Sequence, residues 1–349
     1  MEFQIVRILF FASLAFIFTM LWAPVLTNFL YKHKLGKQIR NSGHTPIFSQ
    51  LHAHKSGTPT MGGVLIWGTT LIFILFFYGL HIFFPGRLSS AFNFLSQKET
   101  LLPLGALIAS ALIGLFDDWL DVRKKGTVGG GGLRMKHRLL IYAIIATIGA
   151  LWFYFKLDWT TIHIPFLGYM EIHWWYIPTF IFVLVATSFS VNETDGLDGL
   201  AGGTLLIAFA SYAIISFVMG RYDLTVFCAV IIGALLAFLW FNIPPARFYM
   251  GDTGSMSLGI TLGIIAMLTN NVFILPFIGF IFVIESVSVI IQILSRKIRH
   301  KKVFLSAPIH HHFQAKGWPE SKIVMRFWLI SGIMAVVGLM IFFADKTFN

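Results

Sequence analysis

About ten apolar stretches of roughly twenty residues each, separated by short polar intervals, constrain this chain more than any single residue does. They fall at roughly 5–30, 63–85, 100–116, 138–155, 175–191, 200–219, 224–241, 256–272, 275–295 and 326–344. Runs of this length cross a bilayer as helices, whereas barrel strands need about ten residues of alternating polarity. Composition agrees. The chain is 57% hydrophobic and 12% charged, with a mean hydropathy of +0.79, whereas a soluble globule carries about 25% charged residues. The predicted fold is an all-α polytopic membrane protein of about ten transmembrane helices. No long hydrophilic stretch divides residues 1–349, which read as a single membrane domain. The first run is too long for a signal-peptide core and reads as an uncleaved span. Cys228 is the only cysteine, so an intramolecular disulfide is excluded, and its apolar setting reads as core.

The formal net charge of +11 would suit nucleic acid, but its distribution argues for no nucleic acid and for a lipid bilayer instead. Intervals on one side of the alternating spans carry five, six, one and eight lysines and arginines, and those on the other share the remaining six of 26. The positive-inside rule makes the richer side cytoplasmic, and an even span count then places both termini outside. The outer intervals are short except for 158–174. There Thr160, Ile162 and Ile164 alternate with Thr161, His163 and Pro165 before Gly168, which predicts a small extracytoplasmic β-hairpin on the membrane surface. His163 and His173 read as its surface residues.

The chemistry sits in five cytoplasmic intervals. Residues 190–203 place Glu193, Asp195 and Asp198 among glycines with no basic neighbour. Clustered carboxylates repel and resist burial unless a cation or hydrogen-bond donors compensate them, and a divalent metal, a phosphate held with it, or distant lysines would do so. A polar turn with helix caps is the plainer alternative. The Gly/Pro/Thr turn ending at Gly63 offers backbone N–H groups with Lys55 beside it, although it lacks Walker spacing. Asp117 and Asp118 stand at the end of the third span, where the helix dipole disfavours them. Gly129 to Gly132 leads to Arg134, Lys136 and Arg138 at the start of the fourth span, a helix N-terminus suited to phosphate. Asp252 lies between Gly251 and Gly254 after Tyr249, whose ring offers a stacking face for a base. In the last interval, His310, His311 and His312 are adjacent, a poor zinc spacing but suited to hydrogen-bonding an anion. Glu285, deep in the ninth span, requires a partner or a cavity.

Taken together, the stretches Gly57 to Gly63, Asp117-Asp118, Asn192 to Ala201, Phe241 to Gly254, Ala307 to Phe313, Lys316 to Trp318 and Arg326 to Trp328 resemble the polyprenyl-phosphate N-acetylhexosamine-1-phosphate transferases. The Ala-Pro-Ile-His-His-His-Phe stretch is similar to the phospho-N-acetylmuramoyl-pentapeptide branch of that family. The resemblance implies a bacterial cytoplasmic-membrane enzyme that moves phospho-MurNAc-pentapeptide from UDP-MurNAc-pentapeptide to undecaprenyl phosphate. Lipid I and UMP would be the products, with Mg²⁺ as cofactor, as a step of peptidoglycan synthesis. By the same resemblance Asp252 would bind Mg²⁺, Asp117 would act on the lipid phosphate, and Asp118 would support both. Lys55, Thr60, Asn192, Asp195, Asp198, Asn242 and Tyr249 would form the nucleotide and diphosphate site, with Asp198 and Tyr249 nearest uracil. Lys136 and His310 to His312 would contact the donor, and the family suggests a homodimer. Two positions depart from the pattern. Asp121 stands where the family has lysine, a role that could pass to Lys124 or Lys125, and Glu193 stands where an apolar residue is usual.

Both reactants of such a transfer are anionic, so a metal and cationic side chains must neutralise them before in-line attack. Direct attack by the lipid phosphate is favoured, and a two-step route through an aspartyl phosphate stays open. The rival readings are a sister transferase using another UDP-sugar such as UDP-GlcNAc, and an ion-coupled transporter, whose acidic residues would sit near the bilayer midplane.

Overall fold

The computed structural model describes residues 1–36, 57–96, 99–123 and 132–348. Lys55, Lys124, Lys125 and the glycines 129–131 lie outside the described residues. Thirteen α-helices are described in chain order: α1 (Glu2–Lys32), α2 (Val64–Phe83), α3 (Arg87–Phe92), α4 (Leu101–Val122), α5 (Met135–Leu151), α6 (Tyr176–Thr194), α7 (Leu200–Val218), α8 (Tyr222–Asn242), α9 (Asp252–Leu268), α10 (Leu275–Ile278), α11 (Phe280–Arg299), α12 (Ile309–Ala315) and α13 (Glu320–Phe348). Eight of them, some with an adjoining turn, are long and apolar enough to cross a membrane, and a bent pair makes a ninth. The remaining predicted stretch is the shorter apolar α9.

Burial explains the layering. Every residue of α9 from Thr253 to Leu268 is buried, and α8 is buried along most of its length. Helix α9 packs between α4 and α6, while α8 packs against α1, α2 and α7. Small residues let α9 serve as this central post, because close backbone approach replaces the hydrophobic drive that lipid does not supply. Two of its hydroxyls are satisfied within the helix, Ser257 donating to the Thr253 carbonyl at 2.6 Å and Thr261 to that of Ser257 at 2.7 Å, while Thr253 ties it to α4 by donating to the Ala111 carbonyl at 2.8 Å. Helices α1 and α13 lie outside, and Leu9, Leu21 and Val25 on one and Leu329, Ile333 and Val336 on the other face outward, as lipid contact requires.

Three boundaries differ from expectation, each for a physical reason. Helix α4 continues to Val122, so Asp117 and Asp118 lie within it. The predicted span 256–272 starts earlier, with Asp252 as the first helical residue of α9. The predicted span 275–295 is broken at Gly279, where Val272–Ile278 and Phe280–Arg299 meet at 84°, because a glycine tolerates the break.

The two ends of the bundle are chemically distinct. At one end Arg7 pairs with Asp223 at 2.9 Å and donates to the Asn93 carbonyl. The same end carries the predicted hairpin, β1 (Thr161–Ile164) with β2 (Gly168–Glu171), paired antiparallel with Ile162 opposite Met170. The Phe166 N–H donates to Asp345 of α13 at 2.6 Å, and the His163 N–H donates to the Asn270 side chain at 3.0 Å. His163 is not the surface residue expected of it: its ring faces Asp345 at 3.3 Å, because the last turn of α13 covers the strand. His173 is exposed.

Candidate active site

At the opposite end, four segments meet at the N-terminus of α9. Asp118, from α4, accepts the backbone N–H groups of Asp252 at 3.1 Å and Thr253 at 3.0 Å, and the Thr60 hydroxyl at 3.3 Å. It is therefore a cap supplied from another helix, and the positive end of α9 offsets the unfavourable position of Asp118 near the end of its own helix. The fit depends on glycines. Gly251 has φ +73°, and a Cβ there would lie 2.5 Å from an Asp118 oxygen and from the Thr60 hydroxyl. A Cβ on Gly114 would strike the Asp252 backbone, so that glycine lets α4 reach α9.

Asp117 points to the same place. Its Oδ1 accepts the Leu133 N–H at 2.6 Å and its Oδ2 lies 2.8 Å from Arg138 Nε. Arg138 also reaches Asp252, with Nη2 at 2.6 Å from Oδ2, and its Nη1 donates to the Asn192 side-chain oxygen at 3.3 Å. Asn192 in turn donates to Asp252 Oδ1 at 2.6 Å and to Ser255 at 2.9 Å. Asp195 accepts the Gly251 N–H at 3.1 Å. Asp117, Asp118, Thr60, Asn192, Asp195 and Asp252 thus form one continuous network.

A second group adjoins it. Asp198 accepts the Ala246 N–H at 3.0 Å, its own N–H donates to Glu320, and Asn242 bridges Gly199 to the Phe248 carbonyl. The Tyr249 backbone is clamped between Pro59 and Gly62. Burial, reinforced by the Asp198, Glu320 and Asp195 charges, pushes the Tyr249 phenol above its ordinary value, so it remains a protonated donor at neutral pH.

The histidines sit on α12, whose first residues meet α11. His310 Nδ1 lies 3.0 Å from Glu285, both side chains being fully buried. A Cβ on Gly196 would strike the His310 ring, which places His310 beside the 190–203 turn. His311 pairs with Gln314 at 2.8 Å. His312 accepts the Leu305 N–H at 3.1 Å, and burial with the nearby Lys316 holds its imidazole below the ordinary value.

Of the predicted site residues, Lys55 lies outside the described residues, and Lys136 is exposed at the start of α5. Among the described residues, the cation that enters the centre is Arg138, one half-turn further on. Ser255 and Glu320 were not anticipated as site residues, and Arg138 was read only as one of a basic group, with Arg134 and Lys136, suited to phosphate. For Arg138 a signal existed: a basic residue in the first turn of a span, in a chain whose acidic turn has no cation of its own.

The donor chemistry suits a hard divalent cation, since the carboxylates of Asp117 and Asp252 converge on one point, marked by the Arg138 guanidinium they share. Among the described residues no three His, Cys, Asp or Glu side chains converge as ligands.

Comparison with known proteins follows the same segments. Residues 100–270 match the glycosyl transferase family 4 profile, and residues 55–66 match the phospho-N-acetylmuramoyl-pentapeptide-transferase signature 1. Proteins named phospho-N-acetylmuramoyl-pentapeptide-transferase are similar along nearly the whole chain. That of Chloroflexus aggregans is 37% identical over 95% of this chain and 89% of its own length. That of Anoxybacillus flavithermus is 38% identical over 96% and 97%, and that of Bacillus subtilis 37% over 96% and 97%.

Proposed function

The chain belongs to the phospho-N-acetylmuramoyl-pentapeptide-transferase family, and we propose that it transfers phospho-MurNAc-pentapeptide from UDP-MurNAc-pentapeptide to undecaprenyl phosphate. Lipid I and UMP are the products. The observation that carries this reading beyond family membership is the meeting of Asp117, Asp118 and Asp252 at one helix N-terminus, although Asp118 and Asp252 are 134 residues apart in sequence.

Each residue has a task in the transfer. Asp118 holds the N-terminus of α9 and so aims Asp252 at the centre. Asp252 would ligate Mg²⁺, which when bound draws off negative charge from the diphosphate. Asp117 faces the same locus and would orient the phosphate of the lipid acceptor. Asn192 fixes the Asp252 carboxylate, and Asp195 fixes the Gly251 backbone before it. Asp198 and the protonated Tyr249 phenol lie beside one another and would receive the uracil and ribose. His310 to His312 would contact the donor from the far side of the 190–203 turn. An oxygen of the lipid phosphate attacks the β-phosphorus of the donor, the bond from that phosphorus to the bridging oxygen breaks, and UMP leaves with the electron pair.

The site lies at the bundle end rich in lysine and arginine, which supports a bacterial cytoplasmic membrane with the active site facing the cytosol and both termini outside. That location also weighs against a transporter, whose carboxylates would sit midway along the helices.

Radiolabelled UDP-MurNAc-pentapeptide incubated with the purified chain, undecaprenyl phosphate and Mg²⁺ is expected to give UMP and a labelled lipid. Absence of both overturns the proposal, and turnover with UDP-GlcNAc alone assigns the chain a different donor.

A further inference from the structure

The most unusual contact at the centre is the guanidinium lying between the two carboxylates. Arg138 spends three of its nitrogens on it: Nε on Asp117, Nη2 on Asp252 and Nη1 on the Asn192 oxygen. The Asp117 side chain is 0% exposed and those of Arg138 and Asp252 are 15% and 13% exposed, so these charges interact with little solvent screening. Both Asp252 oxygens are engaged, Oδ1 by the Asn192 amide at 2.6 Å and Oδ2 by Arg138 at 2.6 Å. Each carboxylate oxygen can accept more than one partner, so a cation ligated by Asp252 at Mg²⁺ distances, about 2.0–2.1 Å, can leave the neutral Asn192 amide in place but repels the guanidinium that shares the carboxylate.

We infer that Arg138 is the resident counter-ion of the acidic centre, competing with the divalent cation for Asp252 and turning to phosphate when displaced. This rests on the reading of Asp252 as a cation ligand. The residue type matters, because a guanidinium presents a planar fork that reaches two carboxylates at once and fits phosphate equally well, whereas a lysine is a point charge that can satisfy one partner at a time. The centre is thus partly neutralised by an internal cation that stays within reach of the anions that arrive with the metal. Arg138 acts here through the carboxylates and is a positioning residue until it meets phosphate.

Mn²⁺ binding to the full-length purified chain, followed by electron paramagnetic resonance without nucleotide or lipid, separates the outcomes. Arg138→Gln is expected to bind Mn²⁺ at least about tenfold more tightly than the unaltered chain, because a nearby positive charge is removed. Arg138→Lys should fall between the two, and carries the test if the glutamine variant does not survive extraction. In turnover both variants should lose rate despite tighter metal binding, since the phosphate contact is weakened or lost. Equal or weaker Mn²⁺ binding by the variants overturns the inference while leaving Asp252 as a ligand. No Mn²⁺ binding by any of the proteins removes the ligand reading and this inference with it.

Discussion

At the scale of single residues, the carboxylate of Asp252 is held from three directions, by Asn192, by Arg138 and, through its backbone, by Asp118. Its side chain is needed for charge, not for architecture, since Asp118 keeps the helix N-terminus in place without it. Asp252→Ala should therefore lower UMP release by at least about a hundredfold, while the unfolding temperature stays near that of the unaltered chain. Near-normal turnover would remove its assigned role. Most of these residues were legible in the sequence, because a polar residue in a short interval between spans has little else to do. Arg138 was legible only as one of several basic residues at a span end, not as the partner of the acidic centre. Its direction depends on how α5 is rotated, and that is decided by packing. The role of Asp118 was legible only in part: a cap donated across the bundle to a helix remote in sequence leaves no local motif.

At the scale of elements, the centre depends on how α12 is tied to the bundle. Glu285 of α11 holds α12 through the His310 ring, 3.0 Å from its carboxylate. Removing one member leaves a buried polar partner unsatisfied, at a cost of about 1–3 kcal/mol. Glu285→Ala should lower stability by that order, and the Glu285→Ala, His310→Ala pair should cost clearly less than the sum of the single changes; a strictly additive cycle in thermal unfolding would mean that the two do not interact.

The other end of the same loop should respond to pH. His312 accepts the Leu305 N–H only while its Nδ1 is unprotonated, and burial with the nearby Lys316 holds its pKa below the ordinary imidazole value. The stabilisation is accordingly complete above the unfolded value of about 6.5 and is lost as pH falls through the lower folded value. Amide exchange at Leu305, corrected for intrinsic rate, should speed up in that acid range and become pH-independent in His312→Ala; identical profiles would refute this. The helices themselves were easy to read from apolar length, as was the hairpin from its alternation. The break at Gly279 and the extension of α4 to Val122 were not. Both depend on neighbouring helices that take up a bend or extend the packing surface, and a hydropathy window averages over them.

At the scale of the whole molecule, the account comes to a statement about convergence. The buried post α9 brings its first residue to the point where α4, α5 and α6 end or begin, and lipid-facing helices surround that arrangement. A polar donor arriving from the aqueous side and a lipid acceptor arriving along the bilayer then meet at one end of the bundle. If Asp117 and Asp252 serve a single centre, their losses cannot be independent, because once either is gone the transition state it shares with the other is already lost. The direct measurement is UMP release by Asp117→Asn, Asp252→Asn and the double variant under identical conditions. The account predicts a double variant within about threefold of the slower single variant; losses that multiply would place the two carboxylates in separate sites and contradict it.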